Sequence, residues 1–249
     1  MSGHNKWSSI KHKKGAADAK RGKLFTRLVK EIIVAARDGG GDPNTNPRLR
    51  LAISNARTAN MPNANIERAI KRGTGEIEGV NYENFTYEGY GQNGVAIIVE
   101  TLTDNKQRTV SEVRHTFSKY GGTMAENGAV SWIFEQKGLI EIPKDSLDEE
   151  EMMMAALDAG AEDFSAEDDH FEIYTAYADL HTVVQNLEKA GYKIGKAELT
   201  RVPKNTVNAD NVAEKLFNLI EHLEDLDDVQ KVYANFEVSD EIMERLSGD

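Results

Sequence analysis

Positively charged side chains are concentrated in the first 73 residues of the chain. This segment carries 16 lysines and arginines against five acidic residues, a net charge of +11. The remaining residues carry 14 basic and 37 acidic side chains, a net charge of −23, so the total of −12 is the sum of two segments of opposite sign. Because salt screens charges beyond about 10 Å, a partner responds to the local patch rather than to the total. The first segment is therefore the candidate for binding a polyanion.

The basic residues of this segment suit contact with nucleic acid. Arginine binds a phosphate through two parallel N–H groups, and several cations at phosphate spacing supply much of the affinity for a nucleic-acid backbone. Trp7 and His12 lie between lysines, where an aromatic ring can stack on an unpaired base. We predict that nucleic acid, either DNA or the rRNA or tRNA of a ribosome, is contacted by Lys6, Trp7, Lys11, His12, Lys13, Lys14, Lys20, Arg21, Lys23, Arg27, Lys30, Arg48, Arg50, Arg57, Arg68, Lys71 and Arg72.

Two other interpretations of the basic segment remain open. The segment can dock on the acidic part of its own chain, or its charges can simply be solvated, as charge runs usually are. A solvated surface ordinarily mixes both signs, whereas 16 of the 21 charged residues here are positive. This imbalance favours nucleic acid as the partner.

A second group of polar residues lies between a predicted buried strand and an amphipathic helix. Asp104 or Asn105 can cap this helix by accepting a hydrogen bond from its first N–H groups. Lys106 and Arg108 follow at the helix N-terminus, where the dipole disfavours cations and the N–H groups attract anions. We predict a cap at Asp104 or Asn105 and an anion or partner contact through this loop.

Signs of enzymatic chemistry are few. The chain has no cysteine, which excludes thiolate nucleophiles and disulfides, and it lacks P-loop, dinucleotide-binding and serine-hydrolase motifs. A metal-dependent hydrolase using Asp104, Glu112 and His115 is the remote alternative, although Glu112 and His115 also suit a surface ion pair. No apolar run approaches the ~20 residues of a membrane span. We therefore expect a cytoplasmic, non-enzymatic protein with no metal, cofactor, membrane partner or small-molecule substrate.

Three short helices are predicted to carry the basic residues. Apolar residues at every third or fourth position predict a first helix over residues 23–39, with Lys30 on its outward face. Asn46 followed by Pro47 predicts the N-cap and first turn of a second helix. A third helix is predicted to begin near Asn63. Because no Asn, Gln or Arg set at helix-turn-helix spacing marks a base-reading helix, the residues slightly favour RNA over DNA.

Beyond these helices, strands alternate with helices. Counting the predicted elements, which include a strand over residues 129–135, gives two ferredoxin-like βαββαβ units, one inserted into the other. The predicted fold class is α+β in three domains, an N-terminal three-helix domain plus these two units. The predicted boundaries are a basic N-terminal arm over 1–22, a helical nucleic-acid-binding domain over 23–77, a discontinuous α/β domain over 78–136 and 201–249, and an inserted acidic α/β domain over 137–200.

Several short motifs are specific in combination. They are Gly3-His4-Asn5-Lys6-Trp7, Lys11-His12-Lys13-Lys14, Arg21-Gly22-Lys23, Gly39-Gly40-Gly41-Asp42-Pro43, Asn46-Pro47-Arg48-Leu49-Arg50, Asn60-Met61-Pro62, Tyr87-Glu88-Gly89-Tyr90-Gly91, Thr103-Asp104-Asn105 and Asp227-Asp228-Val229-Gln230. With them the sequence closely resembles the YebC family over its whole length. The one departure noted is Asn5, where the family usually has serine.

The resemblance implies both a fold and two mechanisms. The implied fold has a helical N-terminal domain and two α/β domains, one inserted in the other. Members are described as probable transcriptional regulators that bind DNA in the bacterial cytoplasm, which implies that function here. Relatives also include a mitochondrial translational activator of cytochrome c oxidase and bacterial proteins linked to ribosomes stalled on proline-rich sequences. A ribosome- or rRNA-associated translation factor is therefore the alternative.

Overall fold

The computed structural model describes residues 17–145 and 147–247 of the 249-residue chain. A helical region is followed by two four-stranded sheets with helices, so the α+β prediction is confirmed. The chain divides into two compact units. One contains residues 80–135 and 202–249 with the described residues up to Lys23, and the other contains residues 24–79 and 136–201. None of the described helices is both long enough and apolar enough to cross a membrane.

In the described part of the chain, three helices precede the sheets: α1 (Ala17–Gly39), α2 (Pro47–Thr58) and α3 (Asn63–Gly73). Helix α1 begins earlier than predicted, so residues 17–22, which we assigned to the arm, are helical. Lys30 is buried, with 6% of its surface exposed, and the prediction that it faces outward is wrong. The reason is that α1 packs around its whole circumference here, since every residue from Ile32 to Ala36 is also buried.

Asn46 fixes the junction between α1 and α2. Its Oδ1 accepts a hydrogen bond from the Leu49 N–H at 3.0 Å, which confirms the predicted N-cap. Its Nδ2 donates to the carbonyl oxygens of Ala35 and Gly40, at 2.7 and 2.8 Å. A side chain at Gly39 would collide with Asn46, because a Cβ there would lie 2.7 Å from Nδ2. The glycine run therefore lets the chain pass close to the capping residue.

The first unit is built on the sheet β3–β1–β2–β9, formed by β1 (Glu83–Tyr90), β2 (Ala96–Thr103), β3 (Thr123–Ala125) and β9 (Val229–Ala234). Helices α4 (Lys106–Lys119) and α7 (Ala213–Glu224) cover it, and Val99, Phe117 and Leu216 lie in their shared core. The β1–β2 hairpin precedes α4, so the element order is ββαβαβ rather than the predicted βαββαβ.

The predicted strand over residues 129–135 is wrong in this unit. Residues Ser131–Ile133 form a 3₁₀ turn, and the short strand β3 pairs with β1 instead. The buried carboxylate of Glu88 accepts hydrogen bonds from the N–H groups of Gly128, Val130 and Ser131, at 2.7–3.0 Å. Those N–H groups are thereby unavailable for strand pairing. Burial acts to raise the pKa of Glu88, but these bonds lower it by more, so the carboxyl stays ionised.

The second sheet has the order β5–β6–β4–β7 and the predicted βαββαβ connectivity. Its elements are β4 (Phe134–Pro143), α5 (Glu149–Ala159), β5 (Asp163–Ala166), β6 (His170–Ala176), α6 (Leu180–Lys189) and β7 (Lys196–Pro203). Helices α5 and α6 pack on Ile140 of β4 and Ile173 of β6. Short strands β8 (Val207–Asn208) and β10 (Phe236–Glu237) pair with each other, and α8 (Asp240–Ser247) follows.

Helix α2 belongs to the same compact unit as the second sheet. Leu51 packs against the core of that sheet, and Asn55 Nδ2 donates to the Ala197 carbonyl on β7 at 2.9 Å. One face of α2 is therefore committed to a neighbour, which limits the cations that it can present to a ligand.

Candidate nucleic-acid interface

Helices α2 and α3 form a helix-turn-helix pair. The four residues Ala59–Pro62 connect them, with Asn60 in the left-handed region at φ 59°. Met61 is buried and its N–H donates to the Ala56 carbonyl, which holds the connection against α2. A connection of this length is the one found between the paired helices of many DNA-binding proteins.

The outward face of α3 carries exposed cations and an amide. Ile66 and Ala69 are buried, which turns Asn65, Arg68, Lys71 and Arg72 towards solvent. These four side chains make no hydrogen bond or ion pair with any other residue that the structure describes. Sequence reasoning did not single out Asn65. The signal that was available is the short Asn60-Met61-Pro62 turn followed at once by a helix.

Arg48, in contrast, is held by two carboxylates. Its guanidinium donates to Glu31 at 2.9 Å and to Asp38 at 3.1 Å, with 44% of the side chain exposed. Partial burial acts to lower the pKa of Arg48, but the hydrogen bond and charge of Glu31 and the charge of Asp38 raise it by more. A phosphate would have to displace both acids, so we leave Arg48 out of the proposed interface.

Arg50 is also engaged within the fold. It donates to the carbonyl oxygens of Pro43 and Asn44, each at 2.8 Å, and its Nη1 lies 2.8 Å from Nε2 of His181 on α6. Since guanidinium can only donate, Nε2 accepts and the imidazole is neutral. Burial and the Arg50 charge lower the pKa of His181, partly offset by Glu188. Arg50 therefore joins α2 to α6.

The other predicted contacts fall in several places. Lys23 pairs with Asp225 at 2.9 Å, within the same compact unit. Arg21 is exposed and Arg27 is half-buried, and each interacts with another part of the protein. Arg57 on α2 is exposed and makes no ion pair with the rest of the described chain. Outside the described residues lie Lys6, Trp7, Lys11, His12, Lys13 and Lys14, together with the side chain of Lys20.

The Asp104–Arg108 loop is a structural junction. Asn105 caps α4 by accepting from the Arg108 N–H at 3.0 Å. Arg108 donates to Asp104 at 2.8 Å and to Asp228 at 2.7 Å, and these hydrogen bonds raise the pKa of its guanidinium further. Lys106 lies over the Phe85 ring, 4.8 Å from its centroid. The two cations therefore have protein partners, which accounts for them without a bound anion.

Asp228 is the centre of this junction. It is buried, and its Oδ2 accepts from the hydroxyls of Thr103 and Thr109, at 3.0 and 2.9 Å, as well as from Arg108. The bonds join the end of β2, the start of α4 and the residue preceding β9. The Thr103-Asp104-Asn105 and Asp227-Asp228 motifs, distant in sequence, thus meet in one hydrogen-bond network.

The residues of the hydrolase alternative are not brought together as a metal site. Within residues 17–145 and 147–247, no three histidine or acidic side chains are close enough to hold a metal ion. Asp104 is bonded to Arg108, and no ion pair joins Glu112 to His115 in this part of the chain.

Two family models match most of the chain. The N-terminal domain of TACO1/YebC proteins matches residues 5–76, and their second and third domains match residues 82–236. The chain belongs to the TACO1/YebC family. The predicted resemblance is confirmed.

Relatives in this family are similar over their full length. A protein of Persephonella marina is 59% identical over 99% of this chain and 100% of its own, and one of Thermotoga maritima is 57% identical over 100% of both chains. Both are named probable transcriptional regulatory protein. The crystal structure of a conserved hypothetical protein from Aquifex aeolicus is also similar, at 51% identity and a TM-score of 0.87, covering 94% of this chain and 97% of that one.

Proposed function

We propose that this protein is a non-enzymatic, cytoplasmic regulator of gene expression that binds nucleic acid through the outward face of α3. The observation that carries the proposal is the set Arg68, Lys71 and Arg72, which are exposed, close together on one helical face and without partners in the described chain. Such a set can contact successive phosphates. The names of the relatives support a role in transcription.

Duplex DNA is the first candidate target. Asn65 and Arg68 lie on the first two turns of α3, the second helix of the pair, which is where a recognition helix presents side chains to base edges. Asparagine pairs with adenine and arginine with guanine in the major groove. These two residues give the helix a means of reading sequence as well as binding phosphate.

A ribosome- or rRNA-associated translation factor is the second candidate. The composition of residues 1–16 favours it, since Trp7 and His12 lie among four lysines. Aromatic side chains interleaved with cations suit unpaired bases, which ribosomal RNA offers and duplex DNA does not.

Competition binding tests the proposal and ranks the two targets. A duplex selected from a random DNA library is labelled, and structured rRNA and intact ribosomes compete for the protein at physiological salt. Replacing Arg68, Lys71 and Arg72 together by alanine is expected to weaken binding at least tenfold. A control replaces the exposed Lys189, Lys193 and Lys215 and removes the same charge elsewhere. Equal binding by both triple variants contradicts the α3 interface, and displacement of the duplex by rRNA makes RNA the target.

A further inference from the structure

A cavity of about 330 Å³ lies between α2 and α6, within one compact unit. Its lining is mainly apolar, with Leu51, Ile53, Val184 and Ile194 among its walls. The volume falls in the range of small-molecule sites, ~300–1,000 Å³, which are typically apolar with a few polar groups that fix orientation. No function was assigned to this cavity from the sequence.

One hydrogen bond between side chains that line the cavity joins the two helices. The Arg50–His181 hydrogen bond connects them at 2.8 Å. Seven residues further along each helix, Arg57 and Glu188 also line the cavity, yet no ion pair joins these opposite charges within the described chain. Gln185 lines it too, and its amide forms no hydrogen bond to another described residue. A guanidinium, a carboxylate and an amide are therefore available to a ligand.

These groups define the ligand by its chemistry. The guanidinium of Arg57 takes a phosphate. The carboxylate of Glu188 can only accept hydrogen bonds, so it requires N–H or O–H donors on the ligand, and the amide of Gln185 can donate to a neighbouring carbonyl. A guanine edge offers two adjacent N–H donors beside a carbonyl, and its planar ring suits apolar walls. We propose that the cavity binds a guanine nucleotide, with its phosphate on Arg57 and its base edge on Gln185 and Glu188.

The inference extends the proposed function, on which it rests, because α2 lines the cavity and is also the first helix of the nucleic-acid-binding pair. The nucleotide has two possible sources with the same chemistry. It is either a free guanine mononucleotide, acting as an effector of the regulator, or an unpaired guanine nucleotide of a bound RNA.

Calorimetric titration of the full chain tests the site. GMP is expected to bind at least tenfold more tightly than UMP or ribose 5-phosphate. Arg57→Ala is expected to weaken GMP binding at least tenfold and to leave the affinity for guanosine, which has no phosphate, unchanged. Glu188→Gln is expected to weaken the binding of both GMP and guanosine. Lys215→Ala is the control, since Lys215 is exposed, does not line the cavity and lies outside the proposed α3 interface, and it is expected to bind GMP normally.

Three results would overturn the inference. They are GMP binding no tighter than ribose 5-phosphate, an unchanged GMP affinity in Arg57→Ala, and tight binding of leucine, whose carboxylate, ammonium and apolar side chain would match the same groups. A uridine hexamer containing one guanosine separates the sources. Competition by this hexamer with GMP assigns the site to RNA, and GMP binding without competition assigns it to the free nucleotide.

The two proposals can fail separately. If the Arg68, Lys71 and Arg72 triple variant loses nucleic-acid binding but the unmodified protein does not bind GMP, the cavity site alone is overturned. GMP binding that depends on Arg57, in a protein whose nucleic-acid affinity is unaffected by the triple variant, overturns the α3 interface alone.

Discussion

At the scale of single residues, two buried polar side chains each make three hydrogen bonds that join separate segments of the chain. Asp228 gathers three donors on one carboxylate oxygen, and Asn46 uses both ends of its amide at the start of α2. A buried donor that loses its acceptor costs more than the bond contributes, because it has already been removed from water. Substitutions at these positions therefore have large effects for single side chains.

Asp228→Ala is expected to lower the free energy of unfolding by about 3 kcal/mol, because the buried Thr103 and Thr109 hydroxyls and Arg108 lose a common acceptor. Asp104→Ala removes the other carboxylate of Arg108, which is exposed, and is expected to cost under about 1 kcal/mol. Urea denaturation of both variants checks the difference. Equal losses would show that burial of Asp228 does not set its contribution.

His181 gives the protein a defined pH response. Its pKa is lowered in the folded state, so the unfolded chain binds the proton first as pH falls. The free energy of unfolding should therefore decline below about pH 6.5, the ordinary pKa of histidine. His181→Gln can still accept from Arg50 but does not titrate, and should lose this part of the decline. Urea denaturation from pH 8 to 5 compares the two proteins, and parallel curves would contradict the assignment.

At the scale of elements, local signals were read correctly where one residue acts on its neighbours. The caps at Asn46 and Asn105 follow from a side chain reaching an N–H three residues on. The environments of Lys30, Arg50 and Arg108 could not be predicted in this way. Lys30 is buried by distant packing, and Arg50 and Arg108 meet His181 and Asp228, each more than 100 residues away. The candidate interface is therefore smaller than the set of basic residues predicted from the sequence, and consists of the outward face of α3.

Asn46→Ala tests the junction of α1 and α2. The variant loses the cap of α2 and the two hydrogen bonds from Asn46 to the carbonyl oxygens of Ala35 and Gly40. Its free energy of unfolding is expected to be about 2 kcal/mol lower. Asn46→Asp keeps the capping oxygen but not the N–H donors, so its free energy of unfolding should lie between those of the unmodified protein and Asn46→Ala. Thermal denaturation measures all three, and an aspartate variant no better than alanine would assign the effect to the donors alone.

At the scale of the whole molecule, the separation of charge along the chain sets how binding responds to salt. Each phosphate contact releases counterions, so the logarithm of the binding constant falls with the logarithm of salt concentration in proportion to the number of contacts. For duplex DNA, the Arg68, Lys71 and Arg72 triple alanine variant should reduce the slope by about 3. The Lys189, Lys193 and Lys215 variant should keep it. An unchanged slope in the first variant would remove α3 from the contact.

The interleaving of the two units along the chain has a consequence for biosynthesis. Residues 24–79 and 136–201 complete one unit, whereas the other needs residues 202–249 to complete the sheet begun at Glu83. Until β9 emerges from the ribosome, the β2 run from Ile97 to Val99 has an unpaired edge. An apolar strand with an unpaired edge can form hydrogen bonds with strands of other chains, which leads to aggregation. The unit that contains β2 is therefore the last to be completed, and the nascent chain is most prone to aggregate before residues 202–249 are made.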